Sequence, residues 1–194
     1  MNYLAHAYLS FNQPGLLVGN MISDFVKGKR QYDYPDYILK GIKLHRAIDT
    51  FTDEHAITRR AKEYFRKDYR LYSGAFVDVV YDHFLATDKK CFATEAALQA
   101  TANFTYETLE QHFDLLPAPF QPMLPYMKTQ NWLLNYKYHW GIENSLAGVV
   151  RRSKFLEESS TAFALFLEHY DGLKTCYEAF FPELKTMAQI YIGV

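Results

Sequence analysis

The chain has 194 residues, 49% of them apolar and 22% charged, with a formal net charge of -1 and a pI of about 6.6. These values exclude a disordered chain, a coiled coil, and a molecule whose overall field would gather nucleic acid or an anionic membrane. The length suits one hydrophobic core, so a single domain is expected. Its 16 Tyr and 15 Phe would fill much of that core with rings, the Tyr hydroxyls letting many of the tyrosines sit at its polar margin.

The N-terminal residues Met1 to His6 lack a basic region followed by an apolar stretch, and no run approaches the 18 or more apolar residues of a membrane span. Cys91 and Cys176 make at most one disulfide, and their spacing suggests neither a disulfide framework nor a zinc site. A cytoplasmic protein is the expectation. Residues 15–27 then form an apolar segment that Gly28 would stop, and Pro35 suits the first turn of a helix running to about Asp53. An amphipathic basic helix is expected from about Ile57 to Arg70. Ser73 reads as the N-cap of an almost wholly apolar helix from Ala75 to about Thr87. Further helices are expected at roughly 94–113, 120–137, 141–151 and 157–180, with a short one near the end. Pro117, Pro119, Pro122 and Pro125 mark a kinked stretch. No period-2 strand emerges, so the fold class is all-α, a single-domain helical bundle.

Four polar pairs have the four-residue spacing that puts two side chains on one helix face: Asn2 with His6, Asn20 with Asp24, His45 with Asp49, and Asp78 with Asp82. Their surroundings are apolar. Asp78 and Asp82 lie in AFVDVVYDHFL, Asp24 between Ile22 and Phe25, and Asp49 between Ile48 and Phe51. An ionised carboxylate in a protein interior costs several kcal/mol unless a cation, an Arg or a metal answers it. Arg46 is near enough in sequence to be a structural partner. If the helices pack as a bundle, these acids would converge with His6, His45 and His83 on a mixed carboxylate/imidazole metal site. We therefore assign His6, Asp24, His45, Asp49, Asp82 and His83 to metal binding, and Asn20, Arg46 and Asp78 to catalysis. Oxygen and nitrogen ligands without thiolate suit manganese, magnesium, iron or zinc, and the carboxylate-rich set leans toward manganese, with magnesium second. Such an ion would neutralise phosphoryl oxygens and acidify a water, while Arg46 could clamp a phosphate. His55, His112, His139 and His169 read as surface or structural histidines. No Gly-x-Ser-x-Gly or phosphate-binding glycine loop is present.

Four segments in order, MNYLAH, GNMISDFVKG, HRAID followed by Thr52-Asp53, and Asp78 with Asp82-His83-Phe84-Leu85, resemble the acyl carrier protein phosphodiesterases. The resemblance extends to Gln130-Asn131-Trp132-Leu133 and to Arg151-Arg152. It implies manganese-assisted hydrolysis of the phosphodiester that joins 4'-phosphopantetheine to holo-acyl carrier protein. It also implies a distant likeness to the His-Asp domain phosphohydrolases, although Asp82-His83 runs in the reverse order and no His-Asp dipeptide occurs. An acidic protein substrate needs exposed positive charge near the site. Arg59, Arg60, Lys62, Arg66 and Lys67 are one candidate set, Arg151 and Arg152 another, and Lys27, Lys29 and Arg30 a third; an ordinary solvated helix face is the alternative for each. Two other functions remain open: hydrolysis of a nucleotide or small phosphoester, and a non-catalytic helical binding module.

Overall fold

A computed structural model describes residues 1–193. Among these, eleven α-helices and four short 3-10 segments occur and no strand does, an all-α fold. The first helix, α1 (Tyr3–Tyr8), is capped by the side chain of Asn2, whose oxygen accepts from the Tyr3 N–H. α2 (Pro14–Ile22) begins on a proline at its first position. It ends five residues short of the expected stop, because the chain tightens into a 3-10 turn at Ser23–Phe25. Gly28, with φ +56°, instead opens a second 3-10 stretch, Gly28–Asp33.

α3 (Asp36–Glu54) and α4 (Ala56–Tyr69) lie close to the expected spans. α5 (Ser73–Thr87) starts earlier than expected: Ser73 is inside the helix, and its hydroxyl donates to the Arg70 carbonyl rather than capping the start. α6 (Glu95–Gln111) is capped by Thr94. The single helix expected at 120–137 is two, α7 (Met123–Thr129) and α8 (Trp132–Asn135). Asn131 breaks it with a left-handed φ of 47°, a conformation that asparagine tolerates better than most residues. α9 spans His139–Arg152. The expected 157–180 helix also divides, at His169, into α10 (Ser160–Glu168) and α11 (Tyr170–Ile192), and α11 absorbs the expected short terminal helix.

Apolar residues from α1 to α11 form one connected core, and Tyr81, Tyr177, Phe65, Phe76, Phe120, Phe166 and Phe180 are its largest fully buried side chains. α2 and α3 come closest. A Cβ on Gly19 would lie 2.0 Å from the Ile38 carbonyl oxygen, and one on Gly41 2.3 Å from that of Leu16. Only hydrogen at both positions allows this backbone approach, and it brings the last turn of α2 against the middle of α3. No helix among the described residues is long and apolar enough to cross a membrane.

Candidate metal centre

Three short-range effects assemble the site. The first concerns α1, whose opening N–H groups have no partner within their own helix. Asp82 of α5, fully buried, supplies one: its Oδ2 accepts from Leu4 N–H at 2.7 Å and its Oδ1 from Ala5 N–H at 3.2 Å. A carboxylate there also meets the positive end of the helix dipole. α1 is thus pinned to α5, with His6 turned toward α3.

The second effect is the close packing of α2 on α3. The carbonyl groups of a helix's last turn lack internal partners, and that of Asn20 accepts from His45 Nδ1 at 2.7 Å. The Asn20 side chain does the same for His6: its amide nitrogen donates to the His6 carbonyl (2.8 Å) and the Ser10 hydroxyl (3.1 Å). Its Oδ1 is therefore left to accept from His6 Nδ1 at 2.7 Å. One residue fixes the tautomer of both histidines, directing each Nε2 to the same place, a common arrangement behind metal-binding imidazoles.

The third effect is the four-residue spacing of His45 and Asp49 on α3, which sets Asp49 Oδ2 3.0 Å from His45 Nε2. Asp49 Oδ1 lies 3.4 Å from His6 Nε2, and Asp24 Oδ1 3.2 Å from His45 Nε2. The two imidazole rings stack with centroids 3.9 Å apart. His6, His45 and Asp49 each offer a ligand atom within 4.8 Å of the others, close enough to share one ion at about 2.0–2.4 Å from each. Met1's amino nitrogen lies 3.4 Å from Asp49 and 3.1 Å from Asp78, an association that side-chain spacing could not reveal.

The electrostatics are uneven. Burial, reinforced by His45, pulls His6 down to about 4, so its ring is neutral near pH 7. Burial also disfavours charge on His45, but Asp24 and Asp49 outweigh it and push its pKa up to about 9. Burial would raise the Asp49 carboxyl, yet His45 and His6 hold it well below the usual carboxylate range. The hydrogen bond with His45 lowers Asp24 as well. His6 Nε2 is buried and has no hydrogen-bond partner. With the proton on Nδ1, it presents a bare lone pair to an ionised carboxylate 3.4 Å away. Two acceptors facing each other, one of them buried, fit a cation between them.

Several expected site residues lie elsewhere. Asp82 spends both oxygens on α1, so it holds the scaffold instead of joining the three donors. His83 points from the other side of α5: its Nδ1 donates to the Tyr136 carbonyl (2.8 Å), and its Nε2 pairs with the Tyr170 hydroxyl (3.0 Å). Both nitrogens are used, and adjacent residues on a helix cannot share a direction. Arg46 was expected as a phosphate clamp; its guanidinium instead donates to Gln31 Oε1 (2.7 Å) and the Val26 carbonyl (3.0 Å), tying the 3-10 segments to α3. Asn20 lies behind the histidines rather than on their open side. Asp78 reaches the cluster through the Met1 amino group, and Asp24 sits at the mouth with its side chain 70% exposed.

On α4, Arg59, Arg60, Arg66 and Lys67 are exposed. Arg59 donates to the Glu54 carbonyl, Lys62 pairs with Asp53 at 2.7 Å, and Arg66 with Glu63 at 2.8 Å. Arg151 and Arg152 border a cleft beside α1.

The family profile described as acyl carrier protein phosphodiesterase matches residues 1–184. Among similar proteins, the acyl carrier protein phosphodiesterase of Yersinia pestis is 32% identical over 189 residues, 97% of this chain and 98% of its own. That of Photorhabdus laumondii is 30% identical over 97% of this chain and 96% of its own. That of Escherichia coli O139:H28 is 30% identical over 97% of each. No solved structure matches the chain. A match that runs from α1 to the middle of α11 takes in every element that builds the cluster, and the chain belongs to the acyl carrier protein phosphodiesterase family.

Proposed function

We propose that the chain is a metal-dependent phosphodiesterase that releases 4'-phosphopantetheine from holo-acyl carrier protein, leaving the apo-protein. The observation that carries the metal dependence is the buried, partnerless Nε2 of His6 facing Asp49 beside His45. His6, His45 and Asp49 would hold the ion, with Asp24 next to them. Two imidazoles and a carboxylate without thiolate favour manganese over magnesium, the harder ion. When bound, such an ion supplies positive charge to the phosphoryl oxygens and acidifies a water near neutral pH.

The chain's own residues do the rest. Asn20 engages both Nδ1 atoms and so aims both Nε2 atoms at one point. The proton that Asp24 and Asp49 favour on His45 Nε2 would give way to an incoming ion. Asp24, exposed at the mouth and held ionised by His45, is placed to orient the attacking water. The water oxygen forms the new bond to phosphorus, the bond from phosphorus to the serine oxygen breaks, and a proton goes to that oxygen. Exposed arginines on α4 and the pair Arg151-Arg152 would receive an acidic carrier protein, since complementary charge speeds encounter more than it deepens affinity.

The test is incubation of holo-acyl carrier protein, and separately of a nucleoside monophosphate, with the manganese-loaded protein, followed by mass spectrometry. Loss of the phosphopantetheine mass from the carrier is expected, with the nucleotide intact. An unchanged carrier beside a hydrolysed nucleotide would give the chain to small phosphoesters instead. Neither substrate changing would leave a binding module.

A further inference from the structure

Beside α1, between α8 and α9, lies a cleft of about 580 Å³, within the usual size range of small-molecule sites. The N-terminal residues link it to the metal centre, since the Met1 amino group reaches Asp49 at 3.4 Å and the next two residues line the cleft. Asn2 and Tyr3 form one wall, and Tyr3 lies three residues before His6 on the same short helix. Burial pushes the Tyr3 hydroxyl up to about 12, with Arg152 opposing and Asp24 adding, so it feels the charges of both places.

Gly141, Ser145 and Gly148 of α9 face the cleft on successive turns, and Arg152 follows one turn later. From Gly141 to Arg152 the helix rises about 16 Å at 1.5 Å per residue. The glycines make room in different ways. A Cβ on Gly141 would lie 1.9 Å from the Asn135 carbonyl oxygen, so glycine there lets α9 touch the loop after α8. A Cβ on Gly148 would meet only guanidinium nitrogens, of Arg152 at 3.4 Å and Arg151 at 3.6 Å. Both cationic heads therefore fold back over Gly148 into this end of the cleft. Neither pairs with an acid among the described residues.

The rest of the lining is neutral: it contains no Asp or Glu and carries the carboxamides of Asn135 and Asn144. The chain's 2 tryptophans, Trp132 and Trp140, both border it. Amide-bearing and cationic only at its arginine end, such a cleft suits a neutral amide chain ending in a phosphate. The pantetheine arm has two secondary amides, a hydroxyl and a dimethyl carbon in a chain as long as about four peptide residues, or roughly 14 Å.

We propose that this cleft seats the pantetheine arm while its phosphodiester lies at the metal centre, with Asn144 and Ser145 among the residues that select it. This rests on the reading of the chain as a carrier-protein phosphodiesterase, but binding can be measured without turnover. Tryptophan fluorescence reports only from the cleft, so the manganese-loaded protein is titrated with pantetheine, which has no phosphate to reach the metal. Saturable quenching is expected, and adenosine monophosphate should bind at least tenfold more weakly. Ser145→Phe, which fills the floor, and Asn144→Leu, which removes an exposed carboxamide, should each raise the Kd for pantetheine at least fivefold. Should Ser145→Phe fail to fold, Asn144→Leu decides alone. No saturable response in the wild type, tighter binding of the nucleotide, or a folded Asn144→Leu variant that binds pantetheine as tightly as wild type overturns the assignment. Pantetheine binding without carrier hydrolysis would instead leave the cleft standing and sink the phosphodiesterase reading.

Discussion

Adjacent residues of one motif serve different ends. Asp82 and His83 follow each other on α5, yet one anchors α1 and the other closes a hydrogen-bonded cluster with Tyr136 and Tyr170. Burial lowers the His83 pKa to about 4. A histidine depressed below its unfolded value of about 6.5 contributes stability that is complete above that value and is lost as pH falls toward the folded pKa. From pH 6.5 to 5 the loss is about 2 kcal/mol, at 1.36 kcal/mol per unit. His6 and Asp82 add their own pH dependence to urea unfolding of the metal-free protein, so the check is the difference: wild type should lose about 2 kcal/mol more than His83→Gln over this range, whatever the substitution does to stability at pH 7. An equal slope in the variant would mean that His83 titrates freely in the folded chain. The sequence exposed that Asp82 was buried, because a helix apolar nearly all round has no outer face for it. It could not show what answers the charge: the partners are backbone N–H groups 78 and 77 residues away, which carry no residue-type signature.

At the scale of elements, the metal centre depends on how closely α2 approaches α3. His45 and Asp49 were legible because a shared helix face follows from spacing alone. The convergence of His6 with them was an expectation from bundle packing, and here it comes through Asn20. The glycine pair that permits this, Gly19 and Gly41, left only a weak trace in the sequence, as glycines inside helical patterns. Gly19→Ala would drive a methyl to 2.0 Å from the Ile38 carbonyl oxygen, and backbone can yield only by separating the helices. The cost should be about 3 kcal/mol, at the upper end for overpacking, with metal affinity falling as Asn20 leaves the two imidazoles. Thermal melts with and without manganese would check both parts; a variant with unchanged melting and unchanged metal binding would show that the approach is not needed. Helix breaks at Asn131 and His169 were missed for a related reason. Apolar periodicity continues across them, and only a backbone angle or a change of packing partner interrupts the helix.

For the whole molecule, near-zero net charge leaves recognition of the proposed acidic substrate to local patches. The basic face of α4 is partly answered by Asp53 and Glu63, whereas Arg151 and Arg152 keep their heads in the cleft. The proposed chemistry and recognition would meet around α1, a six-residue helix held in place by Asn2, Asn20 and Asp82. The proposed activity requires an ion held between His6, His45 and Asp49. The most direct measurement is the initial rate of phosphopantetheine release from holo-acyl carrier protein by metal-stripped protein as manganese is returned, run beside equilibrium dialysis for bound metal. We predict no release without metal, a rate that rises with bound manganese, and, for Asp49→Ala, both weakened binding and a rate at least about 100-fold lower, since a lost ligand misplaces the ion. Full release by metal-free protein, or an Asp49→Ala variant that binds manganese and turns over like wild type, would contradict it.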